Sequence, residues 1–215
     1  MTAAEAWNAQ ATTLEDARAA VWSEPDYEQG TDRCVEAILT ALRPDDLPDG
    51  PLLELGCGIG RLTFPIAAAN PGRKVVGLDV SSNMISLTRD RWHEAVPSAS
   101  LPHFVVADLG DIVINEGFSG AYSMLTFQHM PPEAVRHCID QTVEALLPGG
   151  RFVFQFVVGD HHEGLDHRYP MMEILNIVQR QGVLIDHWPD SDFPEWTWIC
   201  ATKADRFFAP HGPTA

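Results

Sequence analysis

A glycine-rich segment between residues 52 and 62 constrains the fold of this chain more than any other feature. It reads LLELGCGIGRL, so a short apolar run ends in an acid and a glycine then stands at every second position. This pattern predicts a buried strand, a tight turn and the start of a helix. Glycines allow backbone angles that other residues avoid, and they let a ligand lie directly against the main chain. The unpaired N–H groups at the start of the helix suit an anionic group.

The spacing of the glycines decides which ligand is expected. The dinucleotide-binding pattern G-x-G-x-x-G requires a third glycine where this chain has Arg61. The pattern here is instead E-x-G-x-G-x-G, beginning at Glu54. A second apolar run, residues 75–78, ends in Asp79, which could accept hydrogen bonds from ribose hydroxyls. A nicotinamide-dependent dehydrogenase is therefore disfavoured.

The acid, the glycine ladder, the strand and the second acid together resemble the class I S-adenosylmethionine (SAM)-dependent methyltransferases, over roughly residues 50–202. The resemblance implies that SAM is the cofactor and S-adenosylhomocysteine (SAH) the product. Glu54 and the glycine loop would hold the methionine and ribose parts, and Asp79 the ribose. The complete set of cofactor residues that it implies is Glu54, Gly56, Gly58, Gly60, Arg61, Asp79, Val80, Met84, Asp108, Leu109 and Thr126.

The resemblance implies that three positions in this set face the adenosine. Asp108 ends a third apolar run, residues 103–107, and the resemblance places it with Leu109 against the adenine. An acid can accept a hydrogen bond from the exocyclic amine while a backbone N–H donates to the neighbouring ring nitrogen. The alternative for Asp108 is a helix-capping or turn residue. For Met84, contact with the adenosine and packing in the core both remain open.

A histidine follows the fourth predicted strand, residues 118–126. His129 therefore belongs to the carboxyl edge of the sheet, where open α/β folds bind ligands. It is the candidate general base, because the unperturbed pKa of an imidazole suits proton transfer near neutral pH. The alternatives are structural packing, or contact with the cofactor pocket without proton transfer.

The segment 159–170, which reads GDHHEGLDHRYP, is polar and rich in histidine. Its imidazoles and carboxylates could bind a divalent metal, contact the substrate or lie on a plain surface loop. Metal-dependent members of the resembled class take ligands from acids and amides on separate strand ends, so no metal site is predicted. The predicted substrate contacts are His161 and His162 in this segment and Tyr27 near the N-terminus.

Apolar residues recur at helical spacing in residues 3–22 and again in a segment beginning at Thr31 or Asp32. In methyltransferases of this class, helices before the first strand commonly fold over the active site as a lid. The alternative is that their aromatic residues only dock amphipathic helices on the core. The resemblance implies contacts to cofactor or substrate from Trp7, Trp22, Tyr27 or Arg33.

The order of the predicted elements indicates an α/β fold. Strands and helices alternate after residue 50, and residues 183–188 and 196–202 match the antiparallel hairpin that closes the family's sheet. We expect a three-layer Rossmann-like sandwich with a seven-stranded, mostly parallel sheet. The expected domain is single and divides into a helical lid, a SAM-binding core and a flexible tail, at residues 1–49, 50–202 and 203–215.

Composition limits the partners of the protein. The net charge is −16, from 30 acidic and 14 basic residues, whereas a nucleic-acid binder normally carries a basic face. This charge favours neutral, zwitterionic or cationic small molecules as substrates. No apolar run approaches the length of a membrane span and no signal peptide is recognisable, so a cytoplasmic protein without a membrane partner is expected. A monomer and a homodimer are both possible.

The predicted function is transfer of a methyl group from SAM to an oxygen or nitrogen atom of a small molecule, mainly by proximity and orientation. The alternatives are a SAM-binding protein without methyl transfer, in a regulatory or structural role, and a protein or nucleic-acid methyltransferase. The cysteines include no C-x-x-C pair, so neither a zinc site nor a disulfide is predicted. Cys57, within the glycine loop, is either a small residue that fits there or a reactive thiol.

Overall fold

Seven strands form one sheet at the centre of the structure, a computed structural model that describes residues 2–21, 27–95, 102–115, 117–163 and 166–204. A short separate hairpin, β6 with β7, lies outside this sheet. The strands are β1 (Leu52–Leu55), β2 (Val75–Asp79), β3 (His103–Val106), β4 (Phe118–Ser123), β5 (Leu146–Val157), β6 (His162–Glu163), β7 (Asp166–His167), β8 (Val183–Pro189) and β9 (Trp196–Lys203).

The strand order in the large sheet is β3-β2-β1-β4-β5-β9-β8. The first five strands in this order run parallel, and β9 is antiparallel to both of its neighbours. In the central register, Leu53 of β1 pairs with Val76 of β2 and with Ala121 of β4. The predicted mostly parallel sheet with a C-terminal antiparallel hairpin is confirmed.

Helices cover both faces of the sheet, as the predicted three-layer sandwich requires. Within the described residues, none of them is both long enough and apolar enough to cross a membrane. They are α1 (Ala3–Gln10), α2 (Leu14–Val21), α3 (Tyr27–Leu42), α4 (Thr63–Ala69), α5 (Ser82–Ala95), α6 (Pro132–Ala145) and α7 (Met171–Gln179), with short 3-10 helices η1 (Pro44–Asp46) and η2 (Phe127–His129).

Successive residues of β1 supply the two halves of the core. Leu53 and Leu55 pack with residues of α6 and α7, whereas Leu52 packs with residues of α3 and α4. Side chains alternate between the two faces of a strand, so a strand covered on both faces must be apolar nearly throughout. This explains the continuous apolar run of β1, in which Glu54 is the exception.

The loop after β1 and the loop after β4 lie side by side at the carboxyl edge of the sheet. From β1 at the centre, β2 and β3 follow on one side of the sheet, whereas β4 and β5 follow on the other side. Where the strand order reverses, the two loops diverge and leave a crevice, which is the usual ligand site of open α/β sheets. The fold therefore brings the glycine loop and η2 together.

The predicted single helix over residues 3–22 is in fact two helices, α1 and α2. The backbone N–H of Asp16 donates to the Thr13 hydroxyl at 3.1 Å, and the N–H of Thr13 donates to the Asp16 carboxylate at 3.1 Å. These reciprocal bonds form a capping box, which starts α2 as a new helix. Trp22 lies outside the described residues.

Two further boundaries differ from the prediction. α3 begins at Tyr27, so the predicted cap at Thr31 or Asp32 is wrong, because Thr31 lies inside the helix. The L-P-G-G segment, residues 147–150, predicts a turn before a strand over residues 151–158, but β5 begins at Leu146 and includes that segment. The turn interrupts the pairing of β4 with β5, where the register shifts between Phe118 and Gly120.

The predicted tail begins one residue too early. Lys203 is the last residue of β9, and its Nζ donates to the main-chain oxygens of Val143 at 3.2 Å, Glu144 at 2.6 Å and Leu146 at 2.7 Å. A lysine ammonium suits the unpaired carbonyls at the end of α6. The predicted tail beyond Ala204 lies outside the described residues.

Candidate active site

A cavity of about 780 Å³ lies at the carboxyl edge of the sheet, where β1, β2 and β4 end. It also contacts α1 and α2, which cover it from the N-terminal side. Of the predicted cofactor residues, all except Gly60 line the cavity, and the candidate base His129 does so too. These lining residues are Glu54, Gly56, Gly58, Arg61, Asp79, Val80, Met84, Asp108, Leu109, Thr126 and His129.

All three glycines of the loop have a positive φ, and Gly56 and Gly58 lie at the cavity. At Gly56 φ is 74°, and an added Cβ would come within 2.2 Å of the Thr126 side chain. The Thr126 hydroxyl donates to the main-chain oxygen of Leu55 at 3.2 Å, which ties the loop after β4 to β1. At Gly58 φ is 51°, and an added Cβ would meet no atom within 4 Å, so the main chain borders open space.

The third glycine has a packing role. Gly60 has a φ of 75°, and an added Cβ would lie 2.7 Å from Phe64 and 3.0 Å from Thr88. It does not line the cavity. The structure therefore separates Gly60 from the other predicted cofactor residues: it allows a close turn into α4.

Asp79 joins the end of β2 to the glycine loop. Its carboxylate accepts hydrogen bonds from the backbone N–H of Gly58 and that of Ser81, both at 2.8 Å. Burial raises the pKa of Asp79, and these two N–H groups oppose the rise. These two hydrogen bonds fix the Asp79 carboxylate at the cavity wall, and the bond from Gly58 also holds the glycine loop against the end of β2.

Glu54 is a buried acid, with only 3% of its surface exposed. Its Oε2 accepts hydrogen bonds from the hydroxyls of Thr63 and Tyr122, the latter at 3.1 Å. Burial raises the pKa of Glu54 to about 8, although both hydroxyls and the positive charge of Arg61 favour the ionised form. The ionisation of Glu54 therefore depends on the hydrogen-bond donors and charges that contact its carboxyl group, including those of a bound ligand.

Arg61 provides a buried cation at the same end of the cavity. It is 7% exposed, and its guanidinium donates to the Thr31 hydroxyl and to the Met124 sulfur, each at 3.3 Å. α3 and the loop after β4 therefore hold it in place. Glu54 and Arg61 thus present a carboxyl group and a cation to the same cavity, and this combination suits a zwitterionic ligand.

The opposite end of the cavity is formed by β2, α5 and the loop after β3. Leu109 is 6% exposed, whereas Asp108 is exposed and accepts a hydrogen bond from the N–H of Gly110 at 2.9 Å. Asp108 is thus a turn residue that also lines the cavity. Met84 is 2% exposed and packs with Ile59 while lining the cavity, so the two interpretations of this residue are compatible.

His129 ends η2 and faces α1. Its ring meets the Trp7 indole edge to face, with 4.9 Å between ring centroids and 70° between ring planes. Trp7 lines the cavity, and together with Val21 it supplies an apolar wall from α1 and α2. Arg33 lies elsewhere, in a groove between α3 and the β8–β9 hairpin.

Two histidines that the sequence analysis did not select also line the cavity: His137 of α6, whose Nε2 lies 2.7 Å from the main-chain oxygen of Ile112, and His167. His167, on β7, is 9% exposed, and β7 packs against η2. The predicted substrate contact His161 is exposed and lies outside the cavity lining. The side chains of His162 and Tyr27 lie outside the described part of the structure. No local pattern distinguishes His167 from its neighbours in a polar segment; only the folded hairpin does.

Neither a metal site nor a reactive thiol is indicated. Among the residues that the structure describes, no three His, Cys, Asp or Glu side chains are grouped to hold a metal ion. Cys57 is buried, and burial raises the pKa of its thiol well above the usual value, with Asp79 and Glu54 adding to the rise. A thiol that remains protonated is a poor nucleophile, so Cys57 acts as a small packing residue.

Asn8 fixes α1 over the cavity. Its Oδ1 accepts hydrogen bonds from the Ser81 hydroxyl at 2.8 Å and the Asn83 N–H at 3.1 Å, and its main-chain oxygen accepts from the Asn83 side chain at 3.0 Å. The amide thereby satisfies donors at the start of α5. This contact keeps Trp7, one residue earlier, beside His129.

The sheet order, the ladder of glycines after β1 and an acid at the end of β2 together define the class I, Rossmann-like methyltransferase fold. Residues 52–150 match the methyltransferase domain family. This match covers β1 through the start of β5, so this part of the chain resembles the methyltransferase domain family.

Individual relatives are more distant. A trans-aconitate 2-methyltransferase of Sinorhizobium fredii is 30% identical over 135 residues, which are 62% of this chain and 49% of that protein. The chain thus spans about half the length of the curated relatives it matches. Magnesium protoporphyrin IX methyltransferase of Synechocystis, solved with bound SAM, has a TM-score of 0.74 at 19% identity and covers 94% of this chain and 95% of its own. A cyclase structure has a TM-score of 0.68 at 17% identity, covering 82% of each chain.

Proposed function

We propose that this protein transfers a methyl group from SAM to an oxygen or nitrogen atom of a small-molecule acceptor. One observation carries the proposal: a single cavity joins a buried acid and cation, Glu54 and Arg61, to a half-buried carboxylate, Asp79, and to Asp108 with Leu109. In this arrangement Glu54 binds the ammonium of the methionine part and Arg61 its carboxylate. Asp79 accepts from the ribose hydroxyls, and the loop after β3 binds the adenine.

The protein accelerates the reaction mainly by holding the reacting groups in position. When bound, SAM supplies a methyl carbon on a sulfonium, whose C–S bond breaks as the bond from carbon to the acceptor atom forms, and whose sulfur leaves with the electron pair. Glu54, Arg61 and Asp79 hold the reacting carbon at a fixed place, while α1 and α2 exclude water. His129 accepts the proton that the acceptor oxygen or nitrogen loses.

Relatives with small-molecule acceptors support this choice of substrate class. Trans-aconitate and magnesium protoporphyrin are named as acceptors of two proteins that resemble this chain in sequence. The strongly negative net charge also disfavours a nucleic-acid acceptor. The substrate of this chain is therefore proposed to be a small metabolite.

Calorimetric titration with SAM and SAH, with NADH as a negative control, tests the cofactor assignment. We expect saturable binding of both cofactor forms and none of NADH. Asp79→Ala should weaken SAH binding at least tenfold, because it removes the ribose acceptor and frees the Gly58 N–H. Asp45→Ala, an exposed acid in η1, is the matched control and should bind as the wild type does. Binding of NADH alone would contradict the proposal.

A SAM-binding protein without methyl transfer is the second candidate. The cyclase structure supports it, because it has this fold and its name gives a different reaction. Both candidates require SAM binding, so only turnover separates them. Transfer of label from methyl-labelled SAM to a phenol, hydroxy acid or amine acceptor supports the methyltransferase. Tight SAH binding without transfer to any acceptor class supports the second candidate.

A further inference from the structure

Tyr169, just after β7, contacts the turn that carries His129. It is only 1% exposed, and its hydroxyl is hydrogen-bonded to the main-chain oxygens of Phe127, at 3.1 Å, and of Met130. These two residues lie on either side of His129 in the chain. The Tyr169 hydroxyl thus links the main-chain oxygens at the start of η2 and just after its end.

The backbone at Tyr169 is hydrogen-bonded to the end of the sheet. Its N–H donates to the main-chain oxygen of Val157 at 2.8 Å, and its own main-chain oxygen accepts from the N–H of Gly159 at 3.0 Å. The end of β5 therefore holds the phenol. Burial raises the pKa of Tyr169, so its hydroxyl remains a protonated donor.

His167 lies two residues before Tyr169 and lines the same cavity as His129. The backbone of β7 pairs with β6, and β7 packs against η2. One short segment therefore presents an imidazole to the cavity and also holds the turn of His129. This segment lies beyond the 52–150 match to the methyltransferase domain family, so it belongs to the part of the chain in which acceptor specificity can differ from that of relatives.

We propose that His167 forms part of the acceptor-side wall of the site and contacts the acceptor, and that Tyr169 is a positioning residue for His129. This inference rests on the proposed function. It also narrows the acceptor class: the imidazoles of His129 and His167, which line one cavity on elements that pack together, fit a molecule whose reacting O–H or N–H lies beside a second hydrogen-bonding atom. His129 takes the proton of the first group, and His167 binds the second.

Histidine NMR of the full chain, labelled on its imidazoles and saturated with SAH, tests the positioning role. Tyr169→Phe removes only the hydroxyl. We expect it to displace the His129 ring signals, which the neighbouring Trp7 indole makes sensitive to ring orientation. The signals of His187, on the distant strand β8, should stay in place. Wild-type His129 signals in a folded Tyr169→Phe protein would overturn the positioning role.

Turnover of a panel of phenols, hydroxy acids and amines with labelled SAM tests the acceptor contact. The panel pairs each acceptor with an analogue that lacks the neighbouring polar atom. For the acceptor that is methylated fastest, His167→Asn should raise KM at least tenfold and abolish the preference over its analogue. His187→Asn is the matched surface control and should retain both. A His167→Asn protein that retains the preference would overturn the acceptor contact.

SAH calorimetry on every variant separates failure of this inference from failure of the proposed function. Tyr169 and His167 are not among the proposed cofactor ligands, so both variants should bind SAH within threefold of the wild type. Loss of SAH binding in the wild type would instead count against the proposed function. For Tyr169→Phe we expect a fall of about tenfold to a hundredfold in kcat with the KM for SAM unchanged, because displacement of a reacting group slows chemistry rather than cofactor binding.

Discussion

Glu54 is a residue whose charge is set by its surroundings. Burial raises its pKa to about 8, so the acid is mostly protonated at pH 6.5 and half ionised near pH 8. A ligand ammonium beside it would favour the ionised form and displace the proton. Cofactor binding and proton release should therefore be coupled at this one side chain.

We predict that SAM affinity rises about tenfold between pH 6.5 and pH 8, with release of up to one proton per SAM bound at the lower pH. Glu54→Gln should weaken binding and remove most of this pH dependence, because the amide has no proton to release. Calorimetry in buffers of different ionisation enthalpy measures the proton count. Equal pH dependence in wild type and Glu54→Gln would refute the assignment.

Glu54 also affects how folding stability depends on pH. Its contribution falls as the pH rises, whereas that of a carboxylate with a lowered pKa grows. The folded protein retains a proton on Glu54 that the unfolded chain releases at its usual pKa of about 4.3. The contribution of Glu54 to stability therefore falls as pH rises from that value through about 8. The buried neutral acid is tolerated in the free protein because Thr63 and Tyr122 satisfy it.

At the level of secondary-structure elements, the attachment of α1 to α5 controls access to the site. Asn8 makes the contacts between the two helices, and Trp7 and Val21 line the cavity behind it. We therefore expect these hydrogen bonds to slow the release of a ligand that lies beneath α1.

We predict that Asn8→Ala increases the dissociation rate of SAH about tenfold, since it removes two or more hydrogen bonds worth roughly 0.5–1.5 kcal/mol each. Stopped-flow displacement of SAH measures the rate. The matched control is Gln10→Ala, an exposed position in the same helix, which should dissociate at the wild-type rate. Identical rates for the two variants would show that α1 does not limit release.

At the level of the whole molecule, the distribution of charge leaves little for a nucleic-acid backbone to bind. A second groove of about 650 Å³, between α3 and the β8–β9 hairpin, contains Arg33, Arg43 and Arg151. Arg33 forms an ion pair with Asp192, and Arg151 lies 3.8 Å from Asp46. Even where the described residues gather several cations, acids beside them reduce the positive potential.

We therefore predict no saturable binding of tRNA or duplex DNA at low salt, where phosphate contacts are strongest. Fluorescence anisotropy of labelled nucleic acids with and without SAH provides the measurement. Tight binding that weakens steeply with added salt would revive a nucleic-acid acceptor.

The sequence alone predicted most of the residues of the proposed cofactor half of the cavity, because its signals are local. A strand, a glycine ladder and an acid within a few residues require a buried β1 and a tight loop, and the acid after β2 repeats the pattern. These features predict the cavity residues Glu54, Gly58 and Asp79 because parallel strands end at one edge. Gly60 was grouped with them by spacing alone, but its neighbours Phe64 and Thr88 show a packing role.

Only the tertiary structure decided which histidines line the cavity at the proposed acceptor half. His167 lines the cavity, and His161, six residues earlier, does not, although both are histidines in one polar segment. The contacts of Tyr169 with the His129 turn join residues up to 42 positions apart, and those of Asn8 with α5 join residues up to 75 positions apart. Such contacts follow from packing across the sheet edge, and no short stretch of sequence encodes them.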